Sequence, residues 1–331
     1  QEVRMEVNPD FYLGRPKLNE VVYKILPDEN TALTQLQTHE IDLIGLGTAL
    51  KWPEYAQLAG DPKNGIVATR SDDFKWTHID FNLKQPIVSD VQVRRALAYA
   101  TDKNEIVQKI AHGSAIPADT DQQPHYSWAY TNDIVHYPYD VAKAKQLLEA
   151  DGWKVGPDGI RVKNGQRLEF TMSTQTESTN GKTIQTVLQR QWREVGAQAD
   201  IKNYPSAEFF DNSTNGILQG GHYDVAGFSW AGAADPDDSA IYSGDNLAPG
   251  GQNAMFWNNR LATDAMNDAL KTVDQARRKK DYLIVQQQLA LDVPTIILYF
   301  TRTPYVYNID FKGFNPSPVI SAYWDPWNYS I

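Results

Sequence analysis

The chain has 331 residues, 41% of them hydrophobic and 22% charged, enough to bury the cores of two domains or of one large one. A formal net charge of −10 with no basic stripe argues against a nucleic-acid partner, and no run approaches the roughly 18 apolar residues that would predict a membrane span. Cysteine is absent, which excludes a disulfide scaffold, thiol catalysis and Cys-ligated zinc.

The chain opens on Gln1 rather than Met, as a processed product or an excised piece would. Leu18 to Leu26 reads as a strand ending at Pro27. Asp28 then caps a helix carrying Leu33 and Leu36, and Ile41 to Leu46 returns as a short apolar strand. Phe74 to Leu83 alternates with period two, the signature of a long strand, and such a strand could cross between domains. From Ser89 the pattern is helical, with Asp90 as N-cap. Asp102 and Glu105 have capping-box spacing for a second helix, which Gly113 closes.

Residues 117–138 are rich in aromatics and proline without periodicity and read as a packed irregular segment. Asp140 caps a helix that stops at Gly152. Gly156 to Gly159 and Asn164-Gly165 are turn signals between short strands, Leu168 to Met172 is a strand, and Thr183 to Val195 is an amphipathic helix stopped by Gly196. Helices are expected over Leu261–Val273 and Ala276–Leu291. The basic run Arg277 to Lys280 reads as a solvated face, and Pro294 leads into a strand at Thr295 to Phe300 that is expected to cross back.

The segment most suggestive of chemistry is Tyr223 to Asp238, where an apolar strand through Val225 and Phe228 ends at Trp230 and opens into a loop holding Asp235, Pro236, Asp237 and Asp238. Nine Trp and 17 Tyr exceed what a core needs, so some of this aromatic surface is expected to face a ligand. Catalytic readings find little support. The six His residues show no HExxH spacing, the acidic loop lacks a calcium-loop register, no second acid suggests a glycosidase, and no G-x-S-x-G elbow surrounds a serine.

Four ordered segments carry a resemblance. They are YLGRPKLNEVVYKILPDENTALTQLQTHEIDLIG at 12–45, FNLKQPIVSDVQVRRALAYATDKNEIV at 81–107, YDVAKAKQLLEADGW at 139–153, and the stretch from Asn258 to Tyr299. In this order they resemble family 5 extracellular solute-binding proteins, the dipeptide- and oligopeptide-binding components of ABC importers. The resemblance implies an α/β, periplasmic-binding-protein-like two-lobe fold of type II, cluster C. Family members are longer at the N-terminus, so the chain is expected to hold an intact second lobe at 79–301, with a remnant of the first at 1–78 and a return segment at 302–331.

The implied function is non-enzymatic capture of a peptide by hinge closure, in the periplasm or otherwise outside the cytoplasmic membrane. The partners would be transporter permease subunits, and the membrane would be reached only through the transporter or a lipid anchor on a longer form. A monomer without cofactor, metal or nucleic acid is expected. An oligosaccharide, an opine-like compound or a metal chelate is the alternative ligand, and a stand-alone interaction or sensor module is the alternative of another class. Peptide-binding members carry an Asp shortly after the loop Trp that pairs with the ligand's α-ammonium. An ungapped alignment puts Ala233 there, whereas a two-residue insertion puts Asp235 there. The expected ligand-binding residues are Asp235 as charge anchor, Trp230 and Phe228 beside it, and Trp76 and Tyr299 on the crossing strands.

Overall fold

The computed structural model describes residues 1–26, 29–45, 52–112, 114–125, 127–317 and 323–331. The expected cap at Asp28 and helix stop at Gly113 lie outside them. The chain divides into two compact units, one formed by residues 1–73, 111–116 and 301–331, the other by 74–110 and 117–300. The division falls at 73/74 rather than 78/79, and 111–116 joins the first unit.

In the first unit, β1 (Glu2–Glu6) pairs antiparallel with β2 (Glu20–Lys24), narrower than the strand expected over Leu18–Leu26. Helix α1 (Glu29–Gln37), β3 (Leu43–Ile44) and α2 (Trp52–Gly60) follow. Their core joins Ala32, Leu36, Ile44 and Tyr55 to Ile66 and Val306, the latter two from the long strands that belong to both units. The first of these is β4 (Ile66–Phe81), which begins well before the predicted Phe74.

The second unit holds α3 (Val91–Tyr99), all but the last residue of α4 (Lys103–Ala111), and α5 (Val141–Ala150); the short β5 (Ile116–Pro117) lies at the boundary between the units in the chain. A meander of β6 (Lys154–Val155), β7 (Arg161–Lys163) and β8 (Gln166–Arg167) comes next. Its second turn is Asn164-Gly165, both at positive φ (53° and 80°) as a type I′ hairpin demands. Then come β9 (Glu169–Ser173), α6 (Thr179–Glu194), β10 (Gln198–Ile201), α7 (Ser206–Phe209), β11 (Val225–Ala231), α8 (Ser239–Tyr242), α9 (Arg260–Ala269) and α10 (Gln275–Asp292). The last strand, β12 (Thr295–Asn308), continues through Pro304 instead of stopping at Phe300. The sheet runs β10-β9-β11-β4-β12, with β9 parallel to β10 and β11, and β4 antiparallel to β11.

Asp90, Asp140, Ser178, Asn259 and Asp274 all cap their helices with a side-chain oxygen on a first-turn N–H. The expected capping box is half formed. Asp102 accepts from the Glu105 N–H at 3.0 Å, but Glu105 turns to Gln191, whose amide oxygen takes the Asp102 N–H at 3.1 Å. Buried Trp192 of α6 packs near Phe81 and Phe170 of the sheet and donates its indole N–H to Thr101 at 3.1 Å. Among the described residues no helix is long and apolar enough to cross a membrane.

Arg94 explains why an arginine stands inside this core. It is 4% exposed and donates to the carbonyls of Val88, Ser89, Asp292 and Val293 at 2.5–3.0 Å. Two of these carbonyls end α10, where Val293 takes the left-handed conformation (φ 46°) that a β-branched residue avoids. The guanidinium, bonded through all three of its nitrogens, fixes that turn and so places the start of β12.

Candidate functional site

Period-two alternation on β4 puts Trp76, His78 and Asp80 on one face of the sheet and Thr77, Ile79 and Phe81 on the other. Antiparallel register with β11 sets Trp230 opposite Trp76, Phe228 opposite His78 and Ala226 opposite Asp80. Directly opposed residues share a face. The shared face therefore carries three aromatics, an imidazole and a carboxylate.

Over part of this face lies a cavity of about 230 Å³, walled by Phe210, Phe228 and Trp230, with His78, Asp80 and Gln219 among its lining. His78 and Asp80 are 1% and 3% exposed, and His78 Nδ1 lies 2.7 Å from an Asp80 carboxylate oxygen. A carboxylate only accepts, so Nδ1 carries the hydrogen, the tautomer in which Nε2 of an imidazole is an acceptor. Nε2 has no hydrogen-bond partner, and neither has the Gln219 side-chain oxygen. The Phe228 ring sits edge-on to the imidazole with centroids 4.4 Å apart.

Of the residues expected from sequence, Trp230 and Phe228 line this cavity. Trp76 shares their face but is 1% exposed and does not line it. The loop passes close over its ring, since a Cβ on Gly232 would lie 2.7 Å from it. Tyr299 is 5% exposed, and burial raises its hydroxyl pKa while neighbouring Thr77, on the opposite face of β4, lowers it. The structure brings Tyr299 to the other side of the sheet from the cavity.

Asp235 is more than half exposed, and both carboxylate oxygens are engaged by Arg278 of α10 at 2.6 and 2.9 Å. One of them also takes the Asp237 N–H at 3.1 Å. The Arg278 bond, the largest influence, holds the Asp235 pKa below the usual carboxylate range. Arg278 also donates to Tyr282 at 2.8 Å and lies over the ring of Trp128. Its side chain is only 12% exposed, so this member of the basic run is not the solvated residue that the sequence suggested. An α-ammonium reaching Asp235 would have to compete with this guanidinium.

Behind the loop, the Gln122 amide donates to Asp121 at 3.0 Å, to Asp238 at 2.9 Å and to the Pro236 carbonyl at 3.2 Å. Burial first, then the charge of Asp121, push the Asp238 carboxyl well above its ordinary value. Sequence reading missed both this pair and the His78–Asp80 pair. For the latter a signal existed: a His-x-Asp spacing within a strand puts both side chains on one face. Among the described residues no group of three or more His, Asp or Glu could hold a metal ion.

Residues 1–251 match the family model described as bacterial extracellular solute-binding proteins, family 5 middle. The oligopeptide-binding protein AppA of Bacillus subtilis is 27% identical over 98% of this chain and 58% of its own length. Heme-binding protein A of Haemophilus influenzae is 26% identical over 98% and 54%. The chain thus spans just over half the length of these curated relatives. The structure of B. subtilis AppA in complex with a nonapeptide aligns with a TM-score of 0.78 at 26% identity, covering 99% of this chain and 64% of that one. A putative peptide-binding AppA from Clostridium difficile aligns at 0.84 and 21% identity, covering 100% and 65%. These relatives are named as binding proteins rather than enzymes, the α/β units have the fold of periplasmic-binding-protein structures, and the chain belongs to family 5 of the bacterial extracellular solute-binding proteins.

Proposed function

We propose that this chain is the greater part of the substrate-binding component of an ABC importer, and that it captures peptides outside the cytoplasmic membrane for delivery to the permease subunits. In this reading the unit built on 74–110 and 117–300 is the second lobe and the other unit belongs to the first. Capture proceeds by hinge closure, and a lipid anchor on a longer form would hold the protein near its transporter.

The observation that carries the reading is the cavity on the β4–β11 face. It is concave and combines the aromatic walls of Phe210, Phe228 and Trp230 with aliphatic and polar side chains, as a small-molecule site does. At about 230 Å³ it suits one or two residues of a ligand rather than a large cofactor. Aromatic walls accept varied side chains, while the polar groups fix orientation.

Native mass spectrometry of the 331-residue protein, beside the same sample denatured, tests the reading. A heterogeneous set of adducts at peptide masses, lost on denaturation, is the expected result. One discrete adduct at a sugar or chelate mass would replace peptide by that ligand class. If the native spectrum carries no adduct and tetra-alanine adds none, the capture reading fails.

A further inference from the structure

The cavity carries a carboxylate and no basic counterpart. Its polar lining is the Asp80 carboxylate, His78 with an unpartnered Nε2, Gln219 with an unpartnered side-chain oxygen, and the neutral side chains of Asn212, Ser229 and Gln252; His78 and Gln219 are 1% and 6% exposed. No lysine or arginine lies among its described lining residues. Buried acceptors without partners are costly, and nothing nearby among those residues supplies a compensating cation. Phe228 and Trp230 add ring faces, which attract cations and not anions.

The group that complements acceptors, a carboxylate and aromatic faces together is one with several N–H donors, no acceptor and a positive charge. An ammonium has three donors and no acceptor. A ligand carboxylate would meet Asp80 with no lysine or arginine among the described lining residues to offset the repulsion. Asp235, the other candidate for this role, already has a counter-ion in Arg278.

We propose that this cavity is an ammonium site, in which the Asp80–His78 pair and Gln219 receive a primary ammonium group of the bound ligand. The assignment rests on the reading of the chain as a peptide-capturing protein, and it names the chemical feature that this protein selects. Asp80 supplies the charge. By taking the Nδ1 hydrogen, it also selects the tautomer in which Nε2 is an acceptor. Peptides offer an ammonium from two sources, the N-terminus and a lysine side chain.

Isothermal titration of the full chain with four peptides separates these possibilities. They are tetra-alanine, its N-acetylated form, and acetylated analogues in which the second residue is lysine or norleucine. The acetylated tetra-alanine and norleucine peptides lack an ammonium. The expected result is that at least one ammonium-bearing peptide binds roughly ten- to a hundredfold tighter than its neutral counterpart, and that Asp80→Asn abolishes the difference. The arm that shows the preference identifies the source. Gln219→Leu, which leaves the buried pair intact, should reduce the same preference severalfold, and thermal unfolding of each variant reports on its folding. Equal affinity for charged and neutral peptides overturns the assignment and leaves the capture reading standing. So does a loss in both variants that is uniform across all four peptides, the mark of a merely structural role. Failure of all four peptides to bind the unaltered protein overturns the capture reading, and the assignment with it.

Discussion

Replacing Asp235 by Asn separates two roles that its position allows. In the structure Asp235 is a partner for Arg278, with two parallel contacts at 2.6 and 2.9 Å. Exposed ion pairs contribute about 0–1 kcal/mol, but this one is bidentate and its guanidinium is only 12% exposed. Asn keeps one acceptor oxygen and removes the charge, so a loss of about 1–2 kcal/mol of stability is expected at pH 7. The sign with pH follows from the depressed carboxylate. Its contribution is present above the unfolded carboxylate value, about 3.9, and disappears as pH falls through the lower folded value. Urea unfolding followed by Trp fluorescence should therefore show a gap between wild type and Asp235→Asn at pH 7 that closes towards pH 3. Titration at pH 7 should give the same ratio of affinities for free and acetylated tetra-alanine in both proteins. A variant with an unchanged urea midpoint and a ratio reduced tenfold would refute this reasoning and make Asp235 the amine anchor.

Asp238→Asn should act in the opposite direction. The folded carboxyl holds its proton above the unfolded value, so wild-type stability is fully present below about pH 3.9 and falls as pH rises towards the folded value. The variant does not titrate, so its stability relative to wild type, from urea unfolding, should increase between pH 4 and pH 7; a difference that stays constant would count against it. Arg94→Ala leaves four carbonyls without their donor, those of Val88 and Val293 buried, and should cost about 3 kcal/mol by the same assay, with Arg94→Lys recovering only part. Gly232→Ala must displace the Trp76 ring, which a new Cβ would approach to 2.7 Å, and should cost about 1–3 kcal/mol with a shift in Trp fluorescence.

Local chemistry was the legible part of this fold. Asp90 and Asp140 cap the helices they were expected to cap, and Asn164-Gly165 makes its hairpin, because each depends on a few neighbouring residues. The strand ends were misread where the pairing partner, rather than propensity, sets the length: β12 runs through Pro304 to Asn308, where Tyr307 still pairs with Leu43 of β3. In the site, Phe228 and Trp230 were readable from the aromatic strand. The engagement of Asp235 was not, since its partner arrives 43 residues later from a basic run that resembles a solvated helix face. His78 and Asp80 match no metal-binding spacing and carry no motif of their own, and only the strand's period of two joins them.

The acids on this side of the second unit meet the problem of burial in two ways. Asp238, beside Asp121, is pushed towards its protonated form, which removes the charge. Asp80 instead accepts from an imidazole nitrogen 2.7 Å away, and burial first, then the negative charge of Asp80, push the Tyr223 hydroxyl well above its ordinary value. Of these three carboxylates only Asp80 lines the large cavity. A protein that needed Asp80 only for packing could have placed an apolar side chain there at lower energetic cost. A retained charge with an acceptor left open beside it is the arrangement expected where a cationic group of the ligand completes the set.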